Sequence, residues 1–347
     1  MTKRSGFEIA GEVIASGTRK TVQLPVSTLS DHTPVAVSAH VIHGRREGPT
    51  VFISAGIHGD EVIGVEIVRR LLRAKNINAL RGTLIVVPIV NTFGFLNHSR
   101  YLPDRRDLNR SFPGSPNGSL ASRLAHIFLN EVVARCSFGI DLHSAAIHRT
   151  NLPQIRVSAN NKETMRLART FGAPVILTSA LRDGSLRQEA KTIGVDVLLY
   201  EAGEGMRFDE MSVRAGFAGI LRVLKELGML PPKGIAKASA LSVVCSSSHW
   251  VRAPLGGLLR VFKSEGDVVE EGVVLAAISD PFGEDETEVV ARSGGIIVGR
   301  AVMPVVHEGD ALFHIAAVKS ADLAEATVDD LVNQLEEDPL FDEDEII

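Results

Sequence analysis

Residues 50–73, TVFISAGIHGDEVIGVEIVRRLLR, decide the fold. A short apolar run stops at a glycine, a polar turn carrying His58, Asp60 and Glu61 follows, and apolar residues then recur at helical spacing. The first part reads as a buried strand and the last as an amphipathic helix. The polar turn falls where the strand ends and the helix begins.

The same pattern recurs downstream. Apolar strand runs stand at GTLIVVPIVN (82–91), FGIDLHSA (138–145), APVILT (173–178) and VDVLLYEAG (195–203), with helical patterns at 119–135, 162–172 and 211–228. Strands alternating with helices imply an α/β fold with a mainly parallel sheet covered on both faces. Upstream, residues 21–45 alternate apolar and polar positions and read as two antiparallel strands. Near LGMLPPKGIAKASA (227–240) the composition shifts, which places a domain boundary at about residue 235. Residues 1–235 are then the N-terminal strands and the α/β domain, and 236–320 a small all-β module, whose halves APLGGLLRVFKSEGDVVEEG and ARSGGIIVGRAVMPVVHEGD echo each other. Residues 321–347 form an acidic tail, read as a helix with a solvated end.

Composition narrows the function. The 347 residues are 45% hydrophobic and 23% charged, as in ordinary globular proteins, and a net charge of −5 gives no basic footprint for nucleic acid. No run is long and apolar enough for a membrane helix or a secretory signal, and the two cysteines, Cys136 and Cys245, are far apart, so the expectation is a cytoplasmic protein with reduced thiols. No phosphate-binding glycine loop follows a strand. A small-molecule substrate is expected.

His58 and Glu61, three apart at a strand-to-helix turn, can face one centre, and imidazole and carboxylate are both zinc ligands. A catalytic zinc needs a third protein ligand; His143, where an apolar strand meets a loop, best supplies it, with Asp141 on the same side to orient the ring. Asp60 competes with Glu61 but is read as a helix cap. The other nine histidines are read as structural or surface residues. The stretch SRYLPDRRDLNRSFPG (99–114) gathers Arg100, Arg105, Arg106, Asn109 and Arg110, either as carboxylate and oxyanion donors or as a surface turn in water. Glu201 ends an apolar strand, where burial favours a general base; Glu204, deeper in the glycine-rich loop, is its rival. Arg187 is a further carboxylate contact or an exposed arginine at a helix start.

Together GIHGDE, DLNRSFPG, DLHSA and YEAG resemble the succinylglutamate desuccinylase/aspartoacylase family of the M14 zinc carboxypeptidase superfamily, over roughly residues 45–320. The resemblance implies a mixed-sheet α/β catalytic domain with a small β module. It implies one zinc per subunit on His58, Glu61 and His143, with Glu201 as the catalytic glutamate. Asn109 and Arg110 would bind the substrate carboxylate, Arg100 would stabilise the oxyanion, and Arg187 matches loosely. The implied activity is hydrolysis of the amide bond of a small, anionic N-acyl amino acid. A peptide-cleaving metallocarboxypeptidase and a non-catalytic metal-binding relative are the alternatives. The β module is similar to lipoyl and biotinyl half-barrels, but its hairpin SDPFGEDETEVVA (279–291) has no lysine to carry a cofactor. A part in shaping the active-site mouth, or in a homo-oligomer contact, is expected instead.

Overall fold

The computed structural model describes residues 4–158, 161–238 and 241–337, so the end of the acidic tail lies outside the described residues. A small hairpin, β1 (Phe7–Ile9) and β2 (Glu12–Ile14), precedes the long antiparallel pair β3 (Thr18–Thr28) and β4 (Pro34–His43). The alternation seen in residues 21–45 is this pair. There follow β5 (Thr50–Ala55), α1 (Ile63–Arg73), β6 (Thr83–Val87), α2 (Thr92–Leu96), α3 (Leu120–Glu131) and β7 (Phe138–His143). Then come β8 (Arg149–Val157), α4 (Lys162–Phe171), β9 (Val175–Thr178), α5 (Leu186–Thr192), β10 (Asp196–Glu204) and α6 (Glu210–Glu226).

The C-terminal part holds β11 (Val243–Cys245), β12 (Ser248–Arg252), β13 (Gly257–Val261), β14 (Val268–Val269), β15 (Val274–Ser279) and β16 (Glu286–Val290). It closes with β17 (Gly295–Ala301), β18 (Val305–Val306), β19 (Ala311–Ala316) and α7 (Ala321–Glu337). The main sheet has the order β12-β19-β17-β8-β10-β7-β5-β6-β4-β3, with β9 and β11 beyond β8 and β14 beside β17. A four-stranded sheet, β16-β15-β13-β18, completes the C-terminal part.

The sheet is mixed rather than mainly parallel. β10, β7, β5 and β6 run parallel, whereas β8 is antiparallel to both β10 and β17. Strand β8 is the one the sequence hides, because Pro153 and the polar Asn151, Gln154 and Arg156 interrupt its apolar pattern.

One face of the sheet is covered by α1, α4 and α6, the other by α3, α5 and the first hairpin. Helix α1 turns Ile63, Ile67 and Leu71, four apart, onto the sheet with no exposure; each such side chain contributes about 2 kcal/mol of burial. Gly64 makes that approach possible: a Cβ there would meet Ala55 Cβ at 2.7 Å and Leu142 Cβ at 2.8 Å. The parallel strands thus end side by side, and their C-terminal edge is where an open α/β sheet presents a ligand site.

Candidate metal centre and its cleft

Two chain segments meet at that edge. The β5–α1 turn brings His58 and Glu61, and β7 ends on His143; their ligand atoms all lie within 4.8 Å of one another and all three residues are buried. Glu61 Oε1 is 2.6 Å from His58 Nδ1, and Glu61 Oε2 is 2.6 Å from His143 Nδ1. The outward nitrogens are held by further carboxylates. His143 Nε2 lies 2.7 Å from Asp141 Oδ2, and His58 Nε2 lies 3.1 Å from Asp107 Oδ1. Ser54 Oγ donates to Asp141 Oδ1 at 2.7 Å, because β5 and β7 pair Ser54 with Asp141.

The charges support one another. Burial works to raise Glu61, but His58 and His143 outweigh it and hold the carboxyl well below the usual range. Burial works to lower both imidazoles; Asp141 and Glu61 raise His143 well above its ordinary value, and Glu61 and Asp107 raise His58. Two imidazoles and one carboxylate, with each ring's second nitrogen on a carboxylate, are the donor set of a three-ligand zinc site with an open position. The residues fit the ion that the sequence implies.

Asp60 is not the helix cap expected of it. The N-cap of α1 is Val62, without a side-chain hydrogen bond, and Asp60 Oδ1 is buried with no hydrogen-bond partner. Its backbone is held elsewhere, with Asp60 O accepting from Met206 N at 2.8 Å.

A cleft of about 290 Å³ opens onto the centre, and Arg100, Asn109, Arg110, Arg187 and Glu201 all line it. Arg100 reaches Glu61 Oε1 at 3.2 Å and Asp107 Oδ2 at 2.9 Å. Asp107 therefore serves His58 and Arg100 together, and it accepts from Asn109 N at 2.8 Å as well. Asn109 Oδ1 accepts from Leu186 N at 2.9 Å, tying this loop to the start of α5. Arg187, in the first turn of α5, is half-buried, not an exposed arginine at a helix start; burial and then Arg156 lower its pKa, and its Nη1 has no hydrogen-bond partner. Arg105 and Arg106 are exposed outside the cleft.

Glu201 stands beside His143 in the parallel register of β10 and β7. It is not an isolated buried carboxyl: Arg156 Nη2 pairs with Glu201 Oε2 at 2.7 Å and Asn151 Nδ2 donates to the same oxygen at 3.1 Å. Its rival Glu204 is committed elsewhere, to Arg207 Nε at 3.0 Å and His148 N at 3.1 Å. Sequence reasoning missed Asp107, Asn151, Arg156, Arg149 and Trp250. Asp107 was legible as a carboxylate two residues before Asn109; the three from β8 needed that strand to be seen first, and Trp250 arrives from the far C-terminal part.

Residues 47–227 match the succinylglutamate desuccinylase/aspartoacylase catalytic domain, and the chain belongs to that family. It is 26% identical over 313 residues to the N-alpha-acetyl-L-2,4-diaminobutyric acid deacetylase of Halomonas elongata, covering 86% of this chain and 90% of that protein. The structure is similar to a succinylglutamate desuccinylase/aspartoacylase from Rhodobacter sphaeroides, with a TM-score of 0.76 and 26% identity over 86% of this chain and 96% of that one. It shares its fold with the product-bound ectoine utilization protein EutE (DoeB) from Ruegeria pomeroyi, with a TM-score of 0.78 and 24% identity over 87% and 95% of the two chains. Among the described residues no helix is long and apolar enough to cross a membrane.

Proposed function

We propose that the chain hydrolyses the amide bond of a small, anionic N-acyl amino acid, using one zinc ion per subunit held by His58, Glu61 and His143. The supporting observation is the convergence of this buried trio with Glu201 in one arginine-lined cleft. A bound zinc would supply a Lewis acid for the acyl carbonyl and for water activation. Glu201 takes the proton of the attacking water and returns it to the leaving amine nitrogen. Asn109 and Arg110 hold the amino-acid carboxylate, Arg187 adds a second cationic contact, and Arg100 faces the oxyanion as the carbonyl becomes tetrahedral. Arg156 and Asn151 hold Glu201 in place until the substrate enters.

The division of the chain belongs to the same reading: a catalytic unit to residue 235, a β module of lipoyl or biotinyl type over 236–320, and the acidic tail at 321–347. The module's own core of Val251, Leu259, Leu275, Ile278, Leu312 and Phe313 supports the middle unit. The free, buried Cys136 and Cys245 suit a cytoplasmic setting. A small cleft bounded by Trp250 favours a single acylated amino acid over a peptide.

The experiment is release of acetate or succinate from a panel of N-acyl amino acids by zinc-loaded protein. Glu201→Gln should lower kcat by about 10²- to 10⁴-fold while one zinc stays bound. Failure to cleave any member of the panel, or full activity in Glu201→Gln, overturns the proposal.

A further inference from the structure

Trp250 is the single tryptophan of the chain and the one residue beyond α6 among those that line the cleft. It sits on β12, which joins the catalytic strands through β19, β17 and β8. Its indole is stacked on His314 with ring centroids 4.5 Å apart and planes 7° from parallel. His314 is buried, its Nε2 lies 2.8 Å from Ser248 Oγ, and burial followed by the nearby Arg156 and His249 pushes its pKa down to about 4. The backing ring is therefore neutral. Even so, Trp250 as a residue keeps 37% of its surface open.

Arg149, the first residue of β8, places its guanidinium carbon 5.4 Å from the centroid of that indole. Arg100 and Arg156 in the same cleft are paired with carboxylates, whereas the Arg149 guanidinium has no ion pair or hydrogen bond among the described residues. A guanidinium held by an aromatic face keeps its in-plane N–H fork free for a carboxylate.

Of the remaining walls, Arg187 keeps its Nη1 without a hydrogen-bond partner and, in the deacylase reading, goes to the amino-acid carboxylate. Asn109 and Arg110 form one unit with the start of α5, and Glu201 is held by Arg156 and Asn151. In an amide, the acyl chain and the nitrogen diverge from the carbonyl carbon. If the amino acid is anchored at Asn109 and Arg110, as the deacylase reading has it, the acyl chain is left with other parts of the lining, among them Ala145, Ala146, Arg149 and Trp250.

We propose that Arg149 and Trp250 select the acyl group, the indole bounding its pocket and the guanidinium taking a terminal carboxylate, so that acyl groups of the succinyl type are preferred to acetyl. This inference rests on the deacylase reading for the direction of the acyl chain.

The test holds the amino acid constant and changes the acyl group. With zinc-loaded full-length protein, kcat/KM for the N-succinyl form should exceed that for the N-acetyl form by about tenfold or more. Arg149→Gln, a change at an exposed side chain, should reduce that ratio about tenfold through KM. Trp250 gives a second readout that needs no turnover. Succinate should change its emission at concentrations where acetate does not, in the Glu201→Gln protein as in the wild type, and Arg149→Gln should remove that response. Equal kcat/KM for the two amides, a ratio that survives Arg149→Gln, or an equal emission response to acetate overturns the assignment. If neither amide is cleaved while the Arg149-dependent response to succinate persists, the deacylase reading falls and the anion pocket stands.

Discussion

Asp141 and Asp107 touch the imidazole nitrogens that face away from Glu61, so each fixes which nitrogen is free to bind. An amide at position 141 could donate to Nε2 and leave the proton on Nδ1, where a metal ion would have to displace it. Asp141→Asn should therefore weaken zinc binding by about 10- to 100-fold in a chelator competition; unchanged affinity would mean that the ring is held by packing alone. The proposed ligands themselves were legible in the sequence, because His58 and Glu61 share one turn and His143 ends an apolar strand. Asp107 stands in the quoted loop two residues before Asn109, but its contact with His58 was not legible, since that depends on how the 99–114 loop folds back.

His314 is shifted in the opposite sense to the imidazoles of His58 and His143. Its folded pKa of about 4 lies below the 6.5 of a free imidazole, so between those values the unfolded chain binds a proton that the native protein does not, and stability falls as pH drops through that window. A gap of that size corresponds to about 3 kcal/mol. In metal-free protein, His314→Phe should flatten the pH dependence of the denaturation midpoint between pH 6.5 and 4 relative to wild type. An unaltered slope would place the acid sensitivity elsewhere.

At the scale of elements, the approach of α1 to the sheet depends on a missing side chain. Gly64→Val would drive two methyl groups into Ala55 and Leu142, and overpacking of this kind costs about 1–3 kcal/mol. The variant should show a lowered denaturation midpoint together with weakened zinc binding, because Glu61 precedes the helix; a stable protein that had lost zinc would instead separate the turn from the helix. The strands of the parallel core were readable because each is a short apolar run, with β5, β6 and β10 leading into helices and β7 ending at a polar turn. Strand β8 was not, for a physical reason: Arg149, Thr150, Asn151 and Arg156 line the cleft and Gln154 is buried against Val298 O, so polar residues erase its hydrophobic signature. Helix α5, at seven residues, was too short for a period to declare itself, although Arg187 within it had been singled out.

Across the whole molecule, an ion bound only by the native protein adds stability through mass action. At about a hundredfold excess over Kd this amounts to about 2.7 kcal/mol, and the melting temperature should rise with zinc concentration in the wild type and stay fixed in a His143→Ala protein. The continuity of the main sheet from β3 to β12 has a consequence for chimeras built from relatives. The cleft mouth is set by the hydrogen-bond ladder that places Asn151 opposite Gly299 and Arg149 opposite Ala301. A transplanted C-terminal half would have to reproduce that alignment residue for residue, since a one-residue slip turns every side chain of the borrowed strand to the other side of the sheet.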